Sequence, residues 1–230
     1  MHIYLLSLHY RLNMTFISKI KSVIKDPKRA FEYLILGEKK YNLFYDFNNT
    51  HSCISIKNTD SFLEFSMTQP TDIHEHLQTL HMLTVELNLK KILELGTRTG
   101  ESTIALLLAT KNLGGKMTSV DLDSCDEAKK KVKSLGLDSY WNFIQTDDLT
   151  LDWNETIDHL FIDTSHAYEH TMLEFQKFEP FVRKGGLITL HDIVSCPPVL
   201  KAINDFISKR DDIRLYKFFN NNGLAVLRKI

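Results

Sequence analysis

Two acids and two histidines stand close together in the stretches "FIDTSHAYEH" (161–170) and "GGLITLHD" (185–192): Asp163, His166, His191 and Asp192. A pair of carboxylates with an imidazole is a donor set for a divalent cation. A hard cation such as Mg2+ bound there can hold two neighbouring substrate oxygens and lower the pKa of a hydroxyl. His166, three residues after Asp163, is placed to take the hydroxyl proton, and an ordinary imidazole pKa of about 6.5 suits base work near neutrality. The expectation is therefore Asp163 and His166 in catalytic roles, with Asp163, His191 and Asp192 as metal ligands. The competing expectation is plainer. Acids at strand ends cap the next helix, His166 opens that helix, and His191 is a satisfied core histidine. His159, inside a strand, and His170, a helical turn beyond His166, read as structural.

A second stretch, "ILELGTRTGEST" (92–103), runs from apolar residues through an acid to two glycines four apart. A strand turning directly into a helix leaves the first helical N–H groups free at the strand's carboxyl end. Gly96 lets the chain bend, and Gly100 lets backbone and ligand come close. Thr97, Thr99 and Ser102 offer hydroxyls. The spacing is E-x-G-x-x-x-G, unlike the G-x-G-x-x-G of a dinucleotide loop. Glu94 there repels phosphate and favours an ammonium or sulfonium ligand. Asp121, 21 residues after Gly100, ends the following strand, where an acid can accept both ribose hydroxyls. Asp123 and Ser124 suit the cap of the next helix better than Asp121 does. Asp147, at the end of a third strand, can meet an adenine amino group, or with Asp148 can be merely solvated.

The elements that must position these residues alternate regularly from residue 91. Strands are expected at 91–96, 116–123, 141–148, 157–163 and 186–192, with helices at 101–113, 124–135, 167–182 and 198–209. The runs are too continuously apolar for half-solvated strands and predict an α/β fold, a doubly wound and mostly parallel sheet covered on both faces. "IRLYKFF" and "LAVLRKI", joined through "NNNG", predict a terminal antiparallel hairpin. Upstream, "QPTDIHEHLQTLHMLTVELNL" predicts a helix with Thr71 as N-cap. Its "HEH" places His74 and His76 on diverging sides, at the surface or in a lid over the cofactor.

Together Glu94, Gly96, Gly100, Asp121 and Asp147 resemble the class I S-adenosylmethionine-dependent methyltransferases over residues 91–192. The resemblance implies a three-layer, Rossmann-like, seven-stranded sheet closed by an antiparallel strand, and S-adenosylmethionine as cofactor. On it, Glu94, Gly96, Thr97, Gly100, Ser102, Asp121, Leu122, Asp147 and Asp163 fall at cofactor-binding positions. The "D-x-x-H … H-D" pattern is similar to a narrower group, the metal-dependent O-methyltransferases of sugars and natural products with the cephalosporin-hydroxylase-like proteins. That likeness implies a bound Mg2+ or another divalent cation, metal-ligand acids at Asp163 and Asp192, a catalytic base at His166, and O-methyl transfer to a small molecule or glycan. His191 stands where some members carry an acid.

Totals narrow the alternatives. A chain of 230 residues suits an α/β domain of residues 71–230 with an N-terminal helical or irregular extension over residues 1–70. It is long enough to bury about 70% of its unfolded surface without staples. The net charge of -1 offers nothing global to nucleic acid, and no amide-methylation motif of the N/D-P-P-Y/F type is present. Cys53, Cys125 and Cys196 form no metal or disulfide spacing, which suits a reducing, cytoplasmic setting. The opening residues lack the pattern of a signal peptide, and either Met1 or Met14 fits a start. No apolar run reaches the roughly 20 residues that span a bilayer. Residues 1–50 hold eight Lys/Arg against four Asp/Glu, and an amphipathic pattern at 15–36 fits weak membrane-surface contact or packing on the chain's own domain. A homo-oligomer is compatible with the pattern. Two other functions fit a cofactor loop of this kind: a non-catalytic or hydroxylase-like S-adenosylmethionine binder, and a nucleotide-sugar or NAD enzyme.

Overall fold

The computed structural model describes residues 69–230. The membrane-surface pattern at 15–36, the choice of start, Cys53, and all but the last two residues of the 1–70 extension lie outside the described residues.

Seven strands form one sheet: β1 (Lys91–Leu95), β2 (Lys116–Asp121), β3 (Trp141–Gln145), β4 (Ile157–Ile162), β5 (Val182–His191), β6 (Ile213–Phe218) and β7 (Leu224–Lys229). Their order is β3-β2-β1-β4-β5-β7-β6. β1 to β5 pair in parallel, and β7 inserts antiparallel between β5 and β6. Among the described residues, α1 (Leu77–Glu86) precedes β1, and α2 (Glu101–Leu113), α3 (Asp126–Ser134), α4 (Tyr168–Phe178) and α5 (Pro197–Ile207) connect the strands. The doubly wound sheet and the terminal hairpin are as the sequence predicts.

The strands alternate between two cores, because successive side chains point to opposite faces. Ile92, Met117, Phe161, Leu187 and Val226 pack on one side with Leu77 and Leu80 of α1 and Ile104 and Leu107 of α2. Leu93, Val120, Leu160, Ile188 and Leu227 pack on the other with Phe175 of α4 and Ile203 of α5. Helices on both faces are what let these strands be apolar throughout.

Several element boundaries differ from expectation, among them the ends of β3 (Gln145, not 148) and α4 (Phe178, not 182), and three starts differ in ways the local structure shows. α1 is preceded by a 3-10 turn at His74–His76 whose N-cap is Ile73, and Thr71 caps nothing; its hydroxyl is buried without a partner. α3 starts after Cys125 in a left-handed conformation (φ 49), with no side-chain cap from Asp123 or Ser124. There the Asp123 N–H donates instead to Asp121 Oδ1 (2.9 Å). β5 begins at Val182, which pairs with Ile157 across an irregular register.

Candidate active site

Register brings the chemistry to one edge. The Asp163 N–H donates to the Leu95 carbonyl (2.8 Å) and the Gly96 N–H to that of Val120 (2.9 Å). The first residues beyond β1 and β4 therefore lie side by side. Gly96 (φ +90) is obligatory at this crossing: a Cβ there would fall 2.0 Å from the Asp163 carbonyl oxygen. Gly100 (φ +89) faces a different neighbour, since a Cβ there would lie 2.7 Å from that of Ala128 in α3. Its missing side chain serves helix packing.

Glu94 is wholly buried. It accepts hydrogen bonds from the hydroxyls of Ser102 (2.8 Å), Thr103 (2.7 Å) and Ser119 (2.6 Å). Burial pushes its carboxyl up to about 7 against the pull of those donors. The side chain expected to face a cationic ligand thus fastens β1, β2 and α2 together, and Ser102 spends its hydroxyl on it. Thr97 is buried.

Asp121 stands at the tip of β2 with both oxygens engaged. Oδ2 accepts the N–H groups of Thr97 (2.7 Å) and Arg98 (3.0 Å), and Oδ1 that of Asp123. Burial raises its pKa, but these backbone donors prevail and hold it below the usual carboxylate range. Arg98, at φ 45, turns the loop so that its amides face the acid. Leu122 beside it is 69% exposed. Asp147 caps the 3-10 turn at Asp148–Thr150 by accepting the Leu149 N–H (2.8 Å).

A cleft opens at this edge, lined by Asp72, Ile73, Gly96, Thr97, Arg98, Glu101, Ser102 and Asp163. Three of these are carboxylates, and an Arg98–Asp72 ion pair (2.8 Å) spans the cleft. Glu101 is fixed by the Thr99 hydroxyl and by Lys131 Nζ (3.0 Å), which also donates to the Thr99 carbonyl (2.9 Å). Asp72, Arg98 and Glu101 were not among the residues the sequence singles out. Glu101 carried a signal, an acid at the first position of a helix after glycine; Asp72 carried none, because only the fold brings it here.

Asp163, His166, His191 and Asp192 do converge. His166 Nε2 lies 3.0 Å from Asp163 Oδ1 and 3.0 Å from Asp192 Oδ2. His191 Nδ1 lies 3.3 Å from Asp192 Oδ2 and 3.6 Å from Asp163 Oδ2. His166 (φ 57) and Asp192 (φ 60) are both left-handed. Such strained residues cluster at functional sites. Asp163, then Asp192, hold the His166 imidazolium, raising its pKa to about 10. His191 also rises to about 10, burial opposing but the same two acids prevailing. Both acids are held low despite burial by their histidine partners, and Ser195 donates to Asp192 as well. His166 is therefore a cation in this arrangement, unlike the free imidazole expected of a base. The buried Nδ1 of His191 has no hydrogen-bond partner and faces two carboxylate oxygens. Nδ1 and those oxygens lie close enough together to serve a divalent cation, with Asp163, His191 and Asp192 as ligands.

Within the "HEH" stretch Glu75 is exposed and His74 half-buried, as a surface position allows, but the second histidine is not at the surface. His76 is 1% exposed, its Nε2 bonded to the Asn220 carbonyl (2.9 Å) and its ring edge-on to His191 (5.8 Å between centroids). His159 is structural, as expected: it bridges Thr84 (2.9 Å) and Thr189 (2.8 Å), and burial lowers its pKa to about 3.

The strand order and the closing antiparallel strand give a Rossmann-like seven-stranded fold, which solved O-methyltransferases share. Residues 93–193 match the family described as "Methyltransferase domain". An O-methyltransferase from Bacillus cereus, in complex with SAH, superposes with a TM-score of 0.60 at 18% identity, covering 76% of this chain and 94% of the other. The O-methyltransferase TomG from Streptomyces achromogenes, in complex with SAM, gives 0.60 at 14%, covering 76% and 92%. Cofactor-bound Rv0187 from MTB gives 0.61 at 14%, covering 76% and 92%. No curated protein matches the sequence. Among the described residues no helix is long and apolar enough to cross a membrane.

Proposed function

We propose that the chain transfers a methyl group from S-adenosylmethionine to a hydroxyl of a small molecule or glycan. The observation that carries this reading is the convergence of Asp163, His166, His191 and Asp192 beside a cleft lined by Asp72, Glu101 and Asp163. Asp72, Glu101 and Asp163, each already paired within the chain, still offer carboxylate oxygens at the cleft to the ammonium of that cofactor. S-adenosylmethionine supplies a methyl group already activated on a cationic sulfur, so the protein must orient the acceptor and remove one proton. Asp121, keeping its loop amides, has acceptor capacity left on its carboxylate for a ribose hydroxyl, and exposed Leu122 offers the adenine an apolar face.

The quartet is charge-balanced by two protons on its histidines. A divalent cation is the electrostatic equal of those protons, and when bound it supplies Lewis-acid stabilisation of an acceptor alkoxide. Asp163, His191 and Asp192 are the residues to hold it. His166 Nε2, beside Asp163 and Asp192, is the group to accept the acceptor hydroxyl's proton, and would do so as a neutral imidazole if a cation held by Asp163, His191 and Asp192 took up the charge of the two acids.

Incubation with methyl-labelled S-adenosylmethionine and a panel of catechol, sugar and other hydroxyl acceptors tests the reading. Label should reach at least one acceptor. His166→Ala should slow transfer about 100-fold or more while S-adenosylhomocysteine binding stays within a few fold. Cofactor binding with no transfer to any hydroxyl would overturn it in favour of a non-catalytic binder.

A further inference from the structure

A second set of metal-ligating side chains among the described residues shares no member with the quartet: Asp148, His170 and Glu174. His170 and Glu174 sit four apart on one face of α4, and Asp148 meets them from the turn after β3. His170 Nε2 lies 3.1 and 3.2 Å from the two Asp148 oxygens and 3.6 Å from Glu174 Oε1. The Glu174 side chain is completely buried, Asp148 nearly so, and His170 one-quarter exposed. Thr164 donates to Glu174 Oε1 (2.6 Å), among the described residues no donor reaches the buried Oε2, and the carboxyl stands against that of Asp148. The neighbouring cation is spent elsewhere: Lys177 Nζ donates to the main-chain carbonyls of Asp148 (3.1 Å) and Leu149 (2.6 Å).

Two carboxylates in contact in a buried place cannot both stay charged without a counter-charge. Burial, and then Asp148, push Glu174 well above the usual carboxylate range. One imidazole with two carboxylates, an oxygen that no donor reaches and an exposed edge for entry is a donor set for a borderline divalent ion.

We propose that Asp148, His170 and Glu174 form a second divalent-cation site, of the one-nitrogen, two-carboxylate kind that takes Mn2+ or Zn2+. The ion ties the turn after β3, which carries Asp147, to the helix that follows the His166 loop. The site stands on its own residues and does not depend on methyl transfer.

The test counts Mn2+ bound by the full chain after chelator treatment, by titration calorimetry, in wild type, His170→Ala, Glu174→Gln and Asp192→Asn. One class of Mn2+ sites should weaken about 100-fold or vanish in His170→Ala and Glu174→Gln and persist in Asp192→Asn. The converse loss, confined to Asp192→Asn, would report on the quartet alone and overturn this proposal. Mn2+ uptake unchanged by both His170→Ala and Glu174→Gln would overturn it too, whether that uptake is large or nil. Glu174→Gln keeps volume and an acceptor for Thr164, so it decides the matter if His170→Ala fails to fold.

Discussion

Glu94 sets a pH dependence at the residue scale. Its carboxyl is pushed up to about 7 in the folded chain, above the ordinary value of about 4.3 in an unfolded one. Stability tied to its neutral form is full below the unfolded value and is lost as pH rises through about 7, amounting to at most about 4 kcal/mol. Glutamine cannot ionise, so Glu94→Gln should gain stability relative to wild type between pH 5 and pH 8 in urea melts; parallel curves would contradict this. The sequence identified Glu94 by type and position. It could not show that Ser102, Thr103 and Ser119 converge on it, because Ser119 is 25 residues away on the neighbouring strand. Asp121 repeats the lesson. Its place at a strand tip was legible, but its three amide partners depend on the left-handed turn at Arg98. The ordinary pKa expected for His166 failed for the same reason, since two acids from different strands hold its proton.

The turn between β1 and α2 carries the prediction at the scale of elements. Gly96→Ala would force a Cβ onto the Asp163 carbonyl at a φ of +90. The cost is expected to exceed about 3 kcal/mol, read as a fall in urea midpoint or loss of the folded chain. Gly100→Ala meets a side chain on α3 and should cost less, about 1–3 kcal/mol. Equal, negligible losses would show that the loop is free to move. Strands and helices from residue 91 onward were legible because their apolar runs and glycine stops are local signals. Their ends were less so: Gly114 (φ 62) ends α2 as expected, whereas α3 begins at a left-handed cysteine that no cap preference announces.

Across the whole molecule, residues 71–76 are fastened to the turn between β6 and β7, almost 150 positions away. Asn221 accepts the Glu75 N–H (2.9 Å) and donates to the Thr71 carbonyl (2.9 Å), and His76 reaches the Asn220 carbonyl. This stitching holds Asp72 and Ile73 at the cleft. Asn221→Ala should cost about 1–2 kcal/mol and raise amide hydrogen exchange in 72–77 while leaving α4 protected. Unchanged exchange there would mean that other contacts hold the segment. The burial of His76 was not legible because it comes from the hairpin, which no local pattern links to it.

The account rests on the cleft between the tips of β1 and β4 receiving an S-adenosyl ligand. Calorimetric titration of S-adenosylhomocysteine into the full chain, beside Asp121→Ala and an NAD control, addresses that directly. Micromolar binding by wild type, at least about 10-fold weaker in Asp121→Ala and absent for NAD, is the expected result. No heat with S-adenosylhomocysteine, or equal affinity in Asp121→Ala, would contradict it.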